Sequence, residues 1–361
     1  MNGSGRLVSG HRMRKASTLS FTPLMVVALA AAVVLLGAAP SYAAKPAPKL
    51  TSTLCAALGG TWAIDTCTIA KPATATSSFL VPDGTSLVVD ATEKDPNTGC
   101  VLSIASGVTL TVAASGTITV ANTLQYAKGV CNFGTIANLG AIDIQNSGDA
   151  SNGLANGGAI TNAGTITIAN SSSNSVGIGN FGLPGEGVTN GTGYILATLA
   201  NTGTIAIANT GDNSTGLFNY GAVTNSGTLA ILKSLGGTAK GVMQSDGTFT
   251  NEASGTLTND GGTYDASTDS GYPGFFNASG TMINFGTANN TGAMVTWGWV
   301  MLTYGTINNY GLVYQGSGEL VNYGTVHNFG VIGASYGAPD YPHNRGICIN
   351  ETLNGVTGSG C

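Results

Sequence analysis

The stretch GTITIAN, Gly164–Asn170, is echoed further along the chain by GTIAIAN, Gly203–Asn209. In both, apolar Ile sits at every second position and small residues fill the positions between. Period two is strand periodicity, with one face apolar and the other polar. Thr and Ile are branched at Cβ and stiff at χ1, which favours strands over helices. Gly and Asn bracket each quartet, and both residues turn a chain sharply. The quartet therefore predicts a short strand between two corners.

The echo extends well beyond the quartet and its brackets. Ala141–Gly164 and Thr204–Gly227 align from end to end without a gap. A middle copy starts at Thr165 and carries a longer insert, and a looser one starts at Thr228. A second signature, an aromatic residue or Gly followed by G-[T/A]-x-x-N-x-G, lies in the runs that open at Asn132, Asn156, Asn219, Asn284, Thr303 and Asn322. Its last three copies are evenly spaced. Such periods mark a solenoid. Three strands and three corners fill a coil of about 20 residues, each rung about 4.8 Å tall. The expected fold is a right-handed parallel β-helix of about ten coils. Ile142, Ile166, Ile205 and Leu229 should stack in one inward column, and Ile144, Ile168, Ile207 and Ile231 in the next. Corner asparagines should form amide ladders between coils.

The ends suggest export. Arg6, Arg12, Arg14 and Lys15 precede an apolar run, Leu24–Gly37, and Ser41–Ala43 reads as a cleavage site, so residues 1–43 are expected to be a signal peptide. The apolar run is short for a membrane span, and no membrane span is expected after cleavage. The expected location is extracellular or at the cell surface. Loss of the signal leaves eight basic residues against 17 acids, a net charge of −9. A nucleic-acid binder needs a basic stripe, and none is present. The expected organisation is a linker and N-terminal disulfide loop (44–78), an N-terminal cap with the first coils (79–128), a regular β-solenoid (129–333) and a C-terminal cap (334–361). All six cysteines lie beyond residue 43. Their spacings favour Cys55–Cys67, Cys100–Cys131 and Cys348–Cys361, in an oxidising compartment. No C-x-x-C occurs, and no metal or other cofactor is implied.

The repeated N-x-G runs and the paired GTITIAN-type quartets resemble the passenger regions of bacterial autotransporters and filamentous-haemagglutinin-like adhesins. The resemblance covers more than half of the chain and implies a right-handed β-helix displayed at a surface. It carries no catalytic motif. The sequence departs from the autotransporter pattern in closing on GVTGSGC, without the amphipathic strands of a translocator barrel.

Material for chemistry is sparse, since only 8% of the chain is charged. Glycoside hydrolysis needs two carboxylates in a groove. Asp90, Glu93 and Asp95 read as a solvated loop. Asp260, Asp265 and Asp269 read as an Asn/Asp/Gly turn, with a Ca²⁺ loop as the competing reading. His327 occupies a variable slot of the repeat. Asp340, His343 and Arg345 share a terminal loop, where cap stabilisation competes with catalysis. Thr-x-Thr at Thr109, Thr117 and Thr165 opens an ice-binding reading. At equivalent slots stand Ala141/Asp143, Thr204/Ala206 and Thr228/Ala230, so that rank reads as broken.

The aromatic content is more suggestive. Trp297 and Trp299 share strand parity, and Tyr314 follows them. Large aromatic faces stack on sugars or anchor interfaces. Tyr304, Tyr310, Tyr323 and Phe329 each precede Gly and should stack as a corner ladder. The expected function is a structural or adhesive surface protein, not an enzyme. Its expected partners are cell-surface glycans or protein, or further copies end to end. A carbohydrate-binding or carbohydrate-cleaving β-helix is the second reading.

Overall fold

The alternating quartets are strands, and they stack in register. The computed structural model describes residues 46–181, 197–209, 211–232, 238–265, 270–297, 300–316, 319–334, 343–344, 346–350, 352–353 and 356–357. Each coil contributes one strand to each of three parallel sheets. They are named here for the order of strands along the chain: sheet A contains Ala159–Asn162, sheet B Thr165–Ile168 and sheet C Val176–Asn180. Among the described residues, sheet B has 13 strands, the first of them, Thr61–Ala63, antiparallel to its neighbour, and sheets A and C have 11 each. This is a parallel β-helix. The expected signal segment and the residue Cys361 lie outside the described residues.

The two inward columns of sheet B are as the alternation requires. Ile142 pairs with Ile166, Ile166 with Ile205, and Ile205 with Leu229, while Ile144, Ile168, Ile207 and Ile231 align two residues on. All eight side chains are buried. Burial of a side chain of this size stabilises by about 1.5–3 kcal/mol.

Buried amides fill the corners. Asn138, Asn162, Asn201, Asn225 and Asn251 form one column, and each Nδ2 donates to the Oδ1 of the next amide at 2.7–2.8 Å. A second bond from the same nitrogen reaches a backbone carbonyl, as from Asn138 to Thr165 at 3.0 Å. Only nitrogen can donate there, which fixes the orientation of every amide. Asn132, Asn156, Asn180, Asn219 and Gln244 form a second column. A third begins with Asn146, which donates to Asn170, and its later members are Asn259, Asn290, Asn309 and Asn328. In this last column Asn259 aligns with Ile231, so the amide has moved into the strand. The separation then falls to 19 residues, from 24 between Asn146 and Asn170. The two sequence periods are therefore two constructions of one corner.

Glycine is required where coils touch. A Cβ on Gly164, Gly203 or Gly227 would stand 2.1–2.2 Å from a carbonyl oxygen of the preceding coil. Gly129, Gly153, Gly177, Gly216 and Gly241 form another column, at the start of sheet C. A Cβ there would come within 2.1–2.2 Å of a γ-carbon of Val120, Ile144, Ile168, Ile207 or Ile231 respectively.

The ladders run past the expected solenoid boundaries at both ends. Thr66–Ile69 already pairs in parallel with Ser86–Asp90, inside the expected linker, and Ile347–Asn350 pairs with Thr325–Asn328, inside the expected C-terminal cap. The early strands keep the alternation but lack the N-x-G signature. At the N-terminal end a six-residue helix, Ser52–Ala57, is capped by Thr51, whose side chain accepts from the Leu54 amide. The sequence reading contained no helix, because so short an element shows no 3.6-residue stripe. Leu50, Cys55 and Leu58 join the core there.

Cys55–Cys67 ties this helix to the first rung, and Cys100–Cys131 joins neighbouring rungs of sheet C. Cys348 is also disulfide-bonded. Its expected partner, Cys361, is not among the described residues. Cys100 and Cys131 are 31 residues apart, and a loop of that size stabilises by about 3.5 kcal/mol through the unfolded chain. Replacing both by Ser should lower the urea midpoint accordingly. An unchanged midpoint would mean that the reduced chain holds this loop closed without the bond.

Candidate binding surface

The three outer faces differ in chemistry. Sheets A and B present mainly Thr, Ala and Asn. Sheet C presents a different column: Phe218, Met243, Phe276, Val295 and Tyr314 lie on successive rungs. An antiparallel hairpin, Gly262–Asp265 with Ser270–Pro273, is inserted at the corner between sheets B and C. Gly262 and Gly271 have φ of +80° and +143°, which side chains other than hydrogen rarely tolerate.

This hairpin builds an aromatic cluster. The ring of Tyr264 lies 5.1 Å from that of Tyr314. Trp297 Nε1 donates to the Tyr264 hydroxyl at 3.0 Å, and the indole meets Phe276 edge-on at 6.5 Å. The Lys240 ammonium stands 5.3 Å from the Tyr272 ring centre, and burial lowers the lysine's pKa. Trp297 is 37% exposed while Tyr314 is only 3% exposed. Of the three residues expected to make contacts, Trp297 is accessible and Tyr314 is buried. Trp299 lies outside the described residues. Trp297 also stands beyond its strand, Ala293–Thr296, at a corner, so strand parity does not set its direction. Tyr264 and Tyr272 escaped the sequence reading. Their signal is an Asn/Asp/Gly-rich insert that breaks the repeat and in which the acids outnumber the rings.

The aromatics before Gly stack as expected, in two ladders at two corners. Phe285, Tyr304 and Tyr323 stack at 5.2 and 4.9 Å, and Tyr310 stacks on Phe329 at 4.6 Å, all within 16° of parallel. Phe285 joins the first ladder from the same signature. Burial raises the pKa of the Tyr304 hydroxyl, with a smaller push from Tyr323.

The carboxylates are engaged in turns. Asp95 Oδ1 accepts from the amides of Asn97 and Thr98 and from the Thr98 hydroxyl, which holds its pKa below the ordinary value. Glu93 pairs with Lys71 at 3.0 Å. Asp90 ends a sheet B strand. Asp260 accepts from the Thr291 hydroxyl at 2.6 Å, and Asp265 closes the first strand of the hairpin. Asp269, Asp340 and Arg345 lie outside the described residues, as does the side chain of His343. His327 aligns with Asn308 on the outer face of sheet B. Among the described residues no three of His, Cys, Asp and Glu form a metal-sized group.

No protein-family model matches this chain, and no curated protein and no solved structure matches it either.

Proposed function

We propose that this is an exported β-helical surface protein that works by contact, as a structural or adhesive element rather than an enzyme. The carrying observation is the cluster in which Trp297 and Tyr264, from a corner and the hairpin, meet Phe276 and Tyr314 of sheet C. An insert that interrupts the repeat supplies its outer ring. Trp297 and Tyr264 would make the contacts, with Tyr314 and Phe276 as their support. An indole held by a hydrogen bond and braced on other rings loses little side-chain freedom on binding. Such a platform suits the flat faces of sugar rings or an apolar protein anchor. Export would begin at residues 1–43, and the disulfides accord with an oxidising destination. The resemblance to autotransporter passengers and filamentous-haemagglutinin-like adhesins points the same way. Cell-surface glycans are the first candidate partner, cell-surface protein the second, and end-to-end copies the third.

Glycan-array and whole-cell binding by the purified mature protein test this reading. Trp297→Ala should weaken binding roughly thirtyfold, the equivalent of about 2 kcal/mol at an interface anchor. Tyr264→Phe, which removes the hydroxyl that accepts from the indole and keeps the ring, should cost less. Asp260→Asn with Asp265→Asn should leave binding intact. Polysaccharide cleavage by the wild type, lost in that double variant, would promote the carbohydrate-cleaving reading.

A further inference from the structure

The register of sheet B brings together a feature that spacing in the sequence conceals. The first outward position is Thr on seven successive rungs: Thr165, Thr204, Thr228, Thr256, Thr287, Thr306 and Thr325. The break noted in the sequence touches this first position only at Ala141, one rung before Thr165, and otherwise affects the third position of each strand, where Thr167, Ala206, Ala230 and Thr258 follow one another. The rank survives unequal coils, because the insertions lie in corners. Coil geometry alone does not select Thr. The corresponding column of sheet A also follows a corner and reads Thr135, Ala159, Thr198, Ala222, Thr248.

From this column we infer a second binding function: the outer face of sheet B adsorbs to ice. Thr165 is exposed and the other six are half-buried. None of the seven hydroxyls has a hydrogen-bond partner among the described residues. Their strands are paired on both sides and anchored by the buried inward column. Each Thr is stiff at χ1, so hydroxyl and methyl groups repeat at the rung spacing of about 4.8 Å over about 29 Å. That repeat is close to the oxygen repeat along an ice axis. Across the fourteen outward positions of these rungs only His327 is ionisable. A charged glycan or an acidic peptide would find no counter-charge there. A flat, uncharged, translationally periodic array fits a crystalline partner, and its unused hydroxyls fit a lattice made of water. Hydroxyl-bound waters held in register would join the crystal with little further ordering cost.

The test is partition of the fluorescently labelled mature protein into a slowly grown single ice crystal, with thermal hysteresis read in parallel. The wild type should enter the ice and shape the crystal. Thr228→Tyr with Thr256→Tyr, placing two rings in mid-column, should abolish both effects while β-rich circular dichroism is retained. Thr198→Tyr with Thr248→Tyr on sheet A should leave them intact, as should Trp297→Ala, so this inference and the proposed contact function fail separately. Exclusion of the wild type from ice, to the degree of an inert protein of equal size, overturns the inference whether or not the variants fold. So does adsorption to microcrystalline cellulose in place of ice, or ice activity that survives the sheet B substitutions.

Discussion

Ile207→Asp should abolish accumulation of folded protein, while Ala206→Asp, one residue earlier, should leave it nearly unchanged. Ile207 is 1% exposed and stacks between Ile168 and Ile231. Its loss removes about 1.5–3 kcal/mol of burial. The carboxylate then enters an apolar column with no partner, which adds several kcal/mol or forces the group to stay protonated. Together these terms are comparable with the whole stability of a domain, about 5–15 kcal/mol. Ala206 faces outward between Thr167 and Ala230, where a charge remains solvated. A surface change of that kind usually stays within about 0.5 kcal/mol. Secreted yield and urea midpoints of the two variants decide the matter. Equal behaviour would mean the strand register is off by one residue.

Asn201→Asp changes one nitrogen to oxygen and should destabilise more than the truncation Asn201→Ala. The Asn201 side chain is buried in mid-ladder. Its Oδ1 accepts from Asn162 at 2.7 Å, and its Nδ2 donates to Asn225 Oδ1 at 2.7 Å and to the Thr228 carbonyl at 3.0 Å. Truncation leaves the Asn225 oxygen without that donor, a loss of about 1–3 kcal/mol. Aspartate instead sets an acceptor against three acceptors, the Gly203 carbonyl at 3.2 Å being the third, and buries a charge, for about 3–5 kcal/mol. The pH dependence has a definite sign. Burial raises the carboxyl's folded pKa above its unfolded value of about 3.9. The penalty is thus absent where both states are protonated and grows as pH rises through that unfolded value. Urea midpoints should show the Asp variant well below the Ala variant at pH 7 and close to it near pH 3. A gap independent of pH would show that charge is not the cause.

Much of this fold is legible in the sequence because two rules act locally. Alternation in TITI and TIAI sets which side chains point inward, and the N-x-G run places an amide, an outward ring and a corner glycine at fixed steps. Features built from contacts between distant residues are harder to read. The column of Gly129, Gly153, Gly177, Gly216 and Gly241 exists because each glycine meets a branched side chain of sheet B. In the sequence each is one glycine among 55. The candidate surface shows the same limit. Trp297 was noticeable as a rare residue, but its partner Tyr264 lies 33 positions earlier, in an insert outside the repeat. Tyr314 looked like its equal in the sequence, and only the hairpin above it makes it a support.

The interior amide columns give the solenoid an arrow. In all three, nitrogen donates toward the C-terminal end and oxygen accepts from the N-terminal side. Where the columns begin, the Oδ1 atoms of Asn132 and Asn146 have no donor. A coil acquired by duplication extends this hydrogen bonding only when threaded in the same sense as its neighbours. The columns stop short of the N-terminal end, where the rungs of Thr66–Ile69, Ser86–Asp90 and Thr117–Ala121 and the helix Ser52–Ala57 precede them, so this polarity governs growth by internal duplication.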